Sequence, residues 1–350
     1  MALTFTSLTD LLSHGYDSLI DVRSPAEYAE DHIAGAVNMP VLSDEERATV
    51  GTIYVQQSPF LARKIGAAMI FRNAAAHVEG PLAVNGGGWR PLVYCWRGGQ
   101  RSGSFSYLLK EIGWRSDTIS GGYQSYRRLV YQALYDGTLS QRVVLLDGYT
   151  GTAKTDLLPL LAARGVQVID LEGLANHRGS LLGSRPGGQP PQKAFESALA
   201  GQLQALDPDR PLVLEAESSK IGNLLIPPAL WKLMKAAPRI EVTAPLAARA
   251  DYLVAAYEDL WTDPARLKKK LVALVGTRGR ETVNGWIAKL EQQDMTGLAA
   301  ALMAQHYDPS YAKSRRSIGA ETVAQIHAES LDPPGLETTA DALARALAAL

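Results

Sequence analysis

The chain has 350 residues, with 35 Lys and Arg against 36 Asp and Glu, 46% hydrophobic residues and a single cysteine. That length accommodates two ordinary domains, each with its own core, and the composition excludes extensive disorder. A net charge of −1 excludes whole-molecule attraction to nucleic acid or anionic membrane. One cysteine excludes an intramolecular disulfide or a cysteine-rich zinc site, and a free thiol fits a reducing compartment.

The charge is balanced along the chain as well, with 12 basic and 13 acidic residues up to position 140 and 23 of each after it, so any polyanion site must be a local patch. The opening MALTFTSLTDLLSHG has no basic region and no long apolar run, so no secretory signal is expected. No stretch approaches the roughly 18 apolar residues of a membrane span. The expected location is cytoplasmic, without membrane contact.

In chain order, Ser18–Arg23 reads as a buried strand and Pro25–Glu30 as a short helix with proline in its first turn. Ser43–Gln57 and Pro59–Glu79 read as helices, Pro91–Tyr94 as a strand ending at Cys95, and Ser102–Ile112 as a helix. Strand Ser116–Ile119, a Gly121-Gly122 turn and helix Tyr123–Tyr135 complete the first half. Strands alternating with helices predict a mostly parallel sheet with crossover helices. Asp136-Gly137 and Ser140-Gln141 read as a linker. The alternation then restarts with strand Val143–Asp147, helix Lys154–Ala163 and strand Val166–Asp170. Gly179–Pro191 is a long glycine- and proline-rich loop. Helix Gln192–Leu206, strand Pro211–Glu215, helix Pro228–Ala236 and strand Arg239–Thr243 follow. From Pro245 to Gln305 strand signals vanish and the chain reads as helical, and Ala340–Leu350 is a terminal helix.

Two loops carry chemistry. Cys95 ends a strand in YCWRGGQRS, where Gly98 and Gly99 permit a tight cradle of backbone N–H groups at a helix N-terminus. Such surroundings favour a reactive thiol, so Cys95 is the candidate catalytic nucleophile. Trp96, Arg97, Gly98, Gly99, Gln100 and Arg101 are the expected anion cradle, with Arg101 as its cap. The second loop, GYTGTAKT at 148–155, lies between a strand and a helix and follows G-x-x-x-x-G-K-[ST], with Ala153 in place of the second glycine. Gly148, Gly151, Thr152, Lys154 and Thr155 are expected to hold a diphosphate, and Thr155 can ligate magnesium or a phosphate oxygen. Glu215 and Glu217 in EAESSKIG lie at a strand end, where such folds place ligands, with Ser218 and Lys220 just beyond. Glu215 is a candidate metal holder, and Ser218 and Lys220 are expected on phosphate. Asn176, His177 and Arg178 open the long loop, which is long enough to fold over a substrate.

The first half carries a further pattern: Asp21, Arg23, Glu27, His32, Gly35, Ala36, Asn38 and Pro40, together with the cysteine loop, resemble rhodanese-like domains over about residues 5–135. That resemblance implies sulfur carried on the loop cysteine. Its usual arginine comes five positions after the cysteine, whereas Arg101 comes six after Cys95, a spacing closer to phosphatase relatives and wide enough for a phosphate. Asp21 and His32 are expected to tie loops together and not to react.

Joined to a phosphate-loop domain with GYTGTAKT, LANHRGS and EAESSKIG, this domain resembles the bacterial tRNA 2-selenouridine synthases. The implied fold is α/β: a rhodanese-like parallel-sheet domain at 1–138, and a P-loop α/β domain at 139–350 with an added helical segment at 245–310. The implied activity is transferase chemistry on tRNA with a 2-thiolated wobble uridine. That uridine is first S-geranylated with geranyl diphosphate, and selenium from selenophosphate then replaces the sulfur. The resemblance implies no tightly bound cofactor, with Mg2+ possible, and a supply of selenophosphate. For tRNA, Arg266, Lys268, Lys269, Lys270, Arg278 and Arg280 form a basic stretch without acidic residues, and Lys313, Arg315 and Arg316 form a second cluster. Both are expected on the phosphate backbone. Trp261, Trp286 and Tyr311 are candidates for base stacking, although core packing suits any one of them as well. The competing readings are a sulfurtransferase fused to a small-molecule kinase, a cysteine-dependent phosphatase and a non-enzymatic tRNA-binding or redox-sensing scaffold.

Overall fold

A computed structural model describes residues 1–180, 182–318 and 321–350, with the side chains of 314–318 outside the described residues. The chain divides into two compact units, 1–138 with 190–205, and 139–189 with 206–350.

The first unit is built on a five-stranded parallel sheet of β1 (Ala2–Leu3), β2 (Ser18–Asp21), β3 (Ala36–Asn38), β4 (Pro91–Tyr94) and β5 (Asp117–Ile119). The order β1-β5-β4-β2-β3 puts β4 at the centre. All four residues of β4 are buried, and Val93 joins Ile20, Phe105 and Leu109 in one core. A strand apolar on both faces is what a parallel sheet covered by helices requires. Helix Gln100–Ile112 starts two residues earlier than its apolar pattern suggests and stops at Gly113, which is left-handed.

Helix Gln192–Gln204, expected in the second domain, packs in this first unit. Its buried face carries Phe195, Leu199 and Leu203 beside polar Glu196 and Ser197. Glu196 meets Arg127 and accepts from the Tyr135 hydroxyl at 2.6 Å, and Ser197 donates to Asp31 at 2.8 Å. An amphipathic pattern reveals a buried face without naming what buries it, so sequence order assigned this helix to the wrong neighbour.

The second unit has another parallel sheet: β6 (Val143–Asp147), β7 (Gln167–Ile169), β8 (Leu212–Glu215), β11 (Arg239–Thr243) and β12 (Thr322–His327), in the order β12-β11-β6-β8-β7. A short hairpin, β9 (Lys220–Ile221) with β10 (Leu224–Leu225), stands apart from it. Strands β1, β3, β9, β10 and β12 escape the sequence reading. The longest, β12, is an edge strand of mostly exposed residues and lacks an apolar signature. Residues 245–305 are helical as expected. The final helix is longer than expected, Pro333–Ala348, because Asp332 caps it and prolines begin it.

Candidate functional site

In the first unit, Cys95 leaves the buried end of β4 and is itself 3% exposed. The Ser102 hydroxyl donates to its Sγ at 3.2 Å. The loop folds back on the Gly121-Gly122 turn: the Tyr123 N–H donates to the Cys95 carbonyl at 2.8 Å, and Gln124 N–H to Trp96 O at 3.1 Å. A β-carbon at Gly122 would collide with the Cys95 carbonyl, and one at Gly98 would meet the Gly121 nitrogen at 2.9 Å. Both glycines have positive φ, so two close backbone approaches depend on them.

Arg101 is not the cap expected of it. Its guanidinium grips Glu27 through bonds of 2.5 and 3.2 Å. Burial would raise the Glu27 carboxyl, but the Arg101 pair and the Ser24 N–H outweigh it and hold that carboxyl below its ordinary range. Arg97 and Gln100 stand exposed on the loop, with Trp96 half-buried against the Tyr123 ring. Beneath lies a fully buried pair in which Arg23 binds Asp21 at 2.6 Å, donates to the Asp31 carbonyl at 2.6 Å and sits 4.0 Å over the Tyr123 ring. Asp21 therefore supports the loop and does not line it. His32 stacks on Tyr28 at 3.8 Å.

In the second unit, the phosphate loop follows the central strand β6. Asp147 accepts from the Gly148 N–H at 2.7 Å and from the Tyr311 hydroxyl at 2.8 Å, and meets Arg239 at 3.1 Å. Arg249 holds the loop from outside, donating to the Thr150 carbonyl at 2.9 and 2.7 Å while paired with Asp308. Ala153 adopts φ +56°, the left-handed conformation that glycine usually supplies here. The departure from the motif is thus one of residue type and not of backbone path. Lys154 Nζ donates to the Gly148 carbonyl at 2.8 Å and lies 5.6 Å over the Tyr311 ring. The Thr155 hydroxyl donates to Glu172 at 2.9 Å.

These residues open on a cavity of about 430 Å³. Gly151, Thr152, Lys154, Thr155, Arg178 and Ser218 line it, whereas Gly148, Asn176, His177, Glu215 and Lys220 do not. Glu215 is wholly buried with one oxygen on the Leu171 N–H at 3.1 Å. Burial first, and then Asp170 and Glu172, push its carboxyl well above the ordinary range. It organises the floor behind the cavity. Asn176 staples the long loop by donating to the Pro186 and Gly188 carbonyls at 2.9 and 2.8 Å. His177 is buried, and that burial lowers its pKa, helped by Lys270 and Arg185. Ser218 and Lys220 bond each other in the bend that leads into β9. Arg178 reaches the cavity with its guanidinium on Asp259 at 2.7 Å and over Tyr257 at 4.5 Å.

Glu217, expected at the ligand-binding sheet edge, lines the cavity, whereas Arg185, Tyr252, Leu253, Ala256 and Tyr257 line it without having been singled out from the sequence. Arg185, inside the glycine- and proline-rich loop, was the one with a visible signal. Among the described residues no three histidine, cysteine or carboxylate side chains converge to hold a metal ion. A magnesium ion here would need oxygen from Thr155 and from the diphosphate itself.

The basic stretch is partly spent on the protein. Lys268 pairs with Glu291 at 2.7 Å, and Arg278 binds His306 and Ser310. Arg266 and Lys270 reach the Ser184 hydroxyl of the long loop at 3.4 and 2.8 Å. Lys269, Arg280 and Lys313 are exposed, and the side chains of Arg315 and Arg316 lie outside the described residues. Trp286 is core, 1% exposed, with its N–H on Gln305. Trp261 packs against a core with its N–H on the Val254 carbonyl, and Tyr311 lines the cavity. No helix among the described residues is long and apolar enough to cross a membrane.

A cysteine on the loop after the central strand of one α/β unit, and a phosphate loop after the central strand of the other, define a rhodanese-like domain joined to a P-loop domain. Residues 4–129 match the rhodanese-like domain family, and residues 141–269 match the tRNA 2-selenouridine synthase AAA domain family. The tRNA 2-selenouridine synthase of Cupriavidus pinatubonensis is 32% identical over 349 residues, covering 87% of this chain and 90% of the relative. The one from Hahella chejuensis is 38% identical over 245 residues, 67% of this chain and 62% of that relative. The enzyme of Nitrosomonas europaea is 35% identical over 243 residues, 68% and 63% respectively. The chain thus spans under two thirds of the last two relatives. It belongs to the tRNA 2-selenouridine synthase family.

Proposed function

We propose that this protein converts 2-thiouridine to 2-selenouridine at the wobble position of tRNA, in the cytoplasm, through an S-geranylated intermediate. The observation that carries this reading is the cavity lined by Lys154 and its phosphate loop. Family membership supports the tRNA substrate. In the first step the thiouridine sulfur bonds to C1 of geranyl diphosphate. The C1–O bond breaks, diphosphate leaves with its electron pair and the N3 proton passes to solvent. Lys154 stabilises the charge gathering on the departing diphosphate, where a fixed cation is worth most.

S-alkylation turns a poorly departing thiocarbonyl sulfur into a thiol leaving group. In the second step selenium of selenophosphate attacks C2 and the C2–S bond breaks, the geranylthiolate leaving with its electron pair and taking a proton. Water then cleaves the P–Se bond, releasing phosphate and leaving selenium on C2, and N3 is reprotonated. The Cys95 loop is assigned to this step, with the Ser102 hydroxyl donating to the sulfur and Arg97 free to meet the phosphate. Exposed Lys269, Arg280 and Lys313 are assigned to the tRNA backbone.

The test is mass spectrometry of nucleosides from 2-thiolated tRNA incubated with the protein, geranyl diphosphate and selenophosphate. Lys154→Ala is expected to abolish geranylation, while Cys95→Ala leaves geranyl-2-thiouridine to accumulate without selenium. Selenouridine formed at the normal rate by Cys95→Ala removes the role given to Cys95. Thiosulfate sulfurtransferase and ATPase activities without any tRNA product would replace the whole reading by a sulfurtransferase fused to a kinase.

A further inference from the structure

Beside the Lys154 loop and the charged Glu172, Arg178, Arg185 and Glu217, the cavity has a stretch of wall with a different chemistry. Helix Leu246–Ala256 contributes Tyr252, Leu253 and Ala256, Tyr257 follows it, and Tyr307 and Tyr311 also line the cavity, Tyr311 with its ring 5.6 Å from Lys154 Nζ. Tyr252, Leu253 and Ala256 stand at i, i+1 and i+4, one face of the helix. The Tyr252 hydroxyl donates to Asp156 at 2.8 Å and the Tyr311 hydroxyl to Asp147 at 2.8 Å. With those polar tips held by protein, these residues offer the cavity mainly ring surface. The wall begins directly at the phosphate loop, because a β-carbon on Gly151 would lie 3.1 Å from Leu253 Cγ.

We propose that this wall is the subsite for the hydrocarbon chain of an allylic diphosphate, and that Ala256 sets the chain length accepted. The diphosphate sits on the Lys154 loop and the chain runs along Tyr252, Leu253 and Ala256. The proposal rests on the geranylation reading above and locates its chain. Aromatic faces beside C1 suit the step, since cationic character grows there as the C1–O bond breaks. Ala256 is the smallest lining residue of that helix and only half-buried, so a larger side chain there enters the cavity instead of displacing core.

The experiment uses the full chain in two arms. In the transfer arm, 2-thiolated tRNA is given dimethylallyl, geranyl or farnesyl diphosphate, and S-alkylated nucleosides are counted by mass spectrometry. Ala256→Phe should shift the five-carbon to ten-carbon transfer ratio at least about tenfold toward five carbons, and Ala256→Gly should move it toward fifteen. An unchanged ratio in both variants overturns the proposal. In the binding arm, calorimetry compares inorganic pyrophosphate, geranyl diphosphate and ATP. The wild-type chain should bind geranyl diphosphate at least about tenfold more tightly than pyrophosphate, and Ala256→Phe should erase that gap while retaining pyrophosphate. Equal affinities in the wild-type chain, or ATP bound more tightly than geranyl diphosphate, overturn it. Absence of transfer from every donor would refute the geranylation reading, and the binding arm would still decide the subsite.

Discussion

The alanine in the phosphate loop permits a sharp test. Ala153 has φ +56°, is 4% exposed and packs in the core of the second unit. Replacing it by glycine changes three terms. Relief of the left-handed conformation favours the variant by about 1–2 kcal/mol. The greater freedom of glycine in the unfolded chain opposes it by about 0.4–1 kcal/mol. Loss of the buried methyl opposes it by about 0.8 kcal/mol. The terms cancel to within about 1 kcal/mol, so Ala153→Gly is expected to be nearly neutral in stability. Because the backbone already follows the path a glycine would take, pyrophosphate affinity should change less than about threefold, well under the 1.4 kcal/mol of a tenfold step. Urea unfolding of the full chain, followed by a probe in the second unit, measures the first quantity and calorimetry the second. A shift beyond about 2 kcal/mol in either direction, or a tenfold change in affinity, would refute the reasoning. Ala153→Val is the contrast, since a β-branched residue is a conformational outlier at positive φ, and it should destabilise clearly.

Three further outcomes follow from the same geometry. Lys154→Met removes a charged donor at the cavity and should weaken pyrophosphate binding about 10- to 150-fold, the worth of a charge-assisted hydrogen bond; calorimetry showing less than a threefold change would exclude Lys154 from the anion site. Asp21→Asn leaves the buried Arg23 guanidinium without its counter-charge, at a cost of about 3–5 kcal/mol; a melt of the first unit unchanged within 2 °C would contradict this. Burial and the neighbouring Glu172 hold the Glu217 carboxyl well above its ordinary range, so the fold favours its protonated form. The stability this contributes is complete below the ordinary carboxylate pKa and is lost as pH rises toward the folded value. Glu217→Gln should therefore melt with the wild type near pH 4 and increasingly above it from pH 5 to 8, and a difference independent of pH would count against the assignment.

The sequence by itself determined the two loops, because each is a local device. A buried strand, a few glycines and a helix start are contiguous, so Cys95 and Lys154 were legible at the ends of β4 and β6. It also determined the strand–helix alternation, through runs of apolar residues buried on both faces. It did not determine partners distant along the chain. That Arg101 would face Glu27 and not the cradle depends on a contact 74 residues away. Arg278, counted among the tRNA cations, is held by His306 and Ser310. Glu215 and Glu217, two residues apart on the same strand end, differ in that one is sealed behind the cavity and the other lines it. The aromatic wall shows the limit most clearly. Tyr252 and Ala256 sit on a helix whose sequence says only that one face is apolar. Tertiary packing alone decided that this face meets the phosphate loop, because burial is driven by area and carries no address.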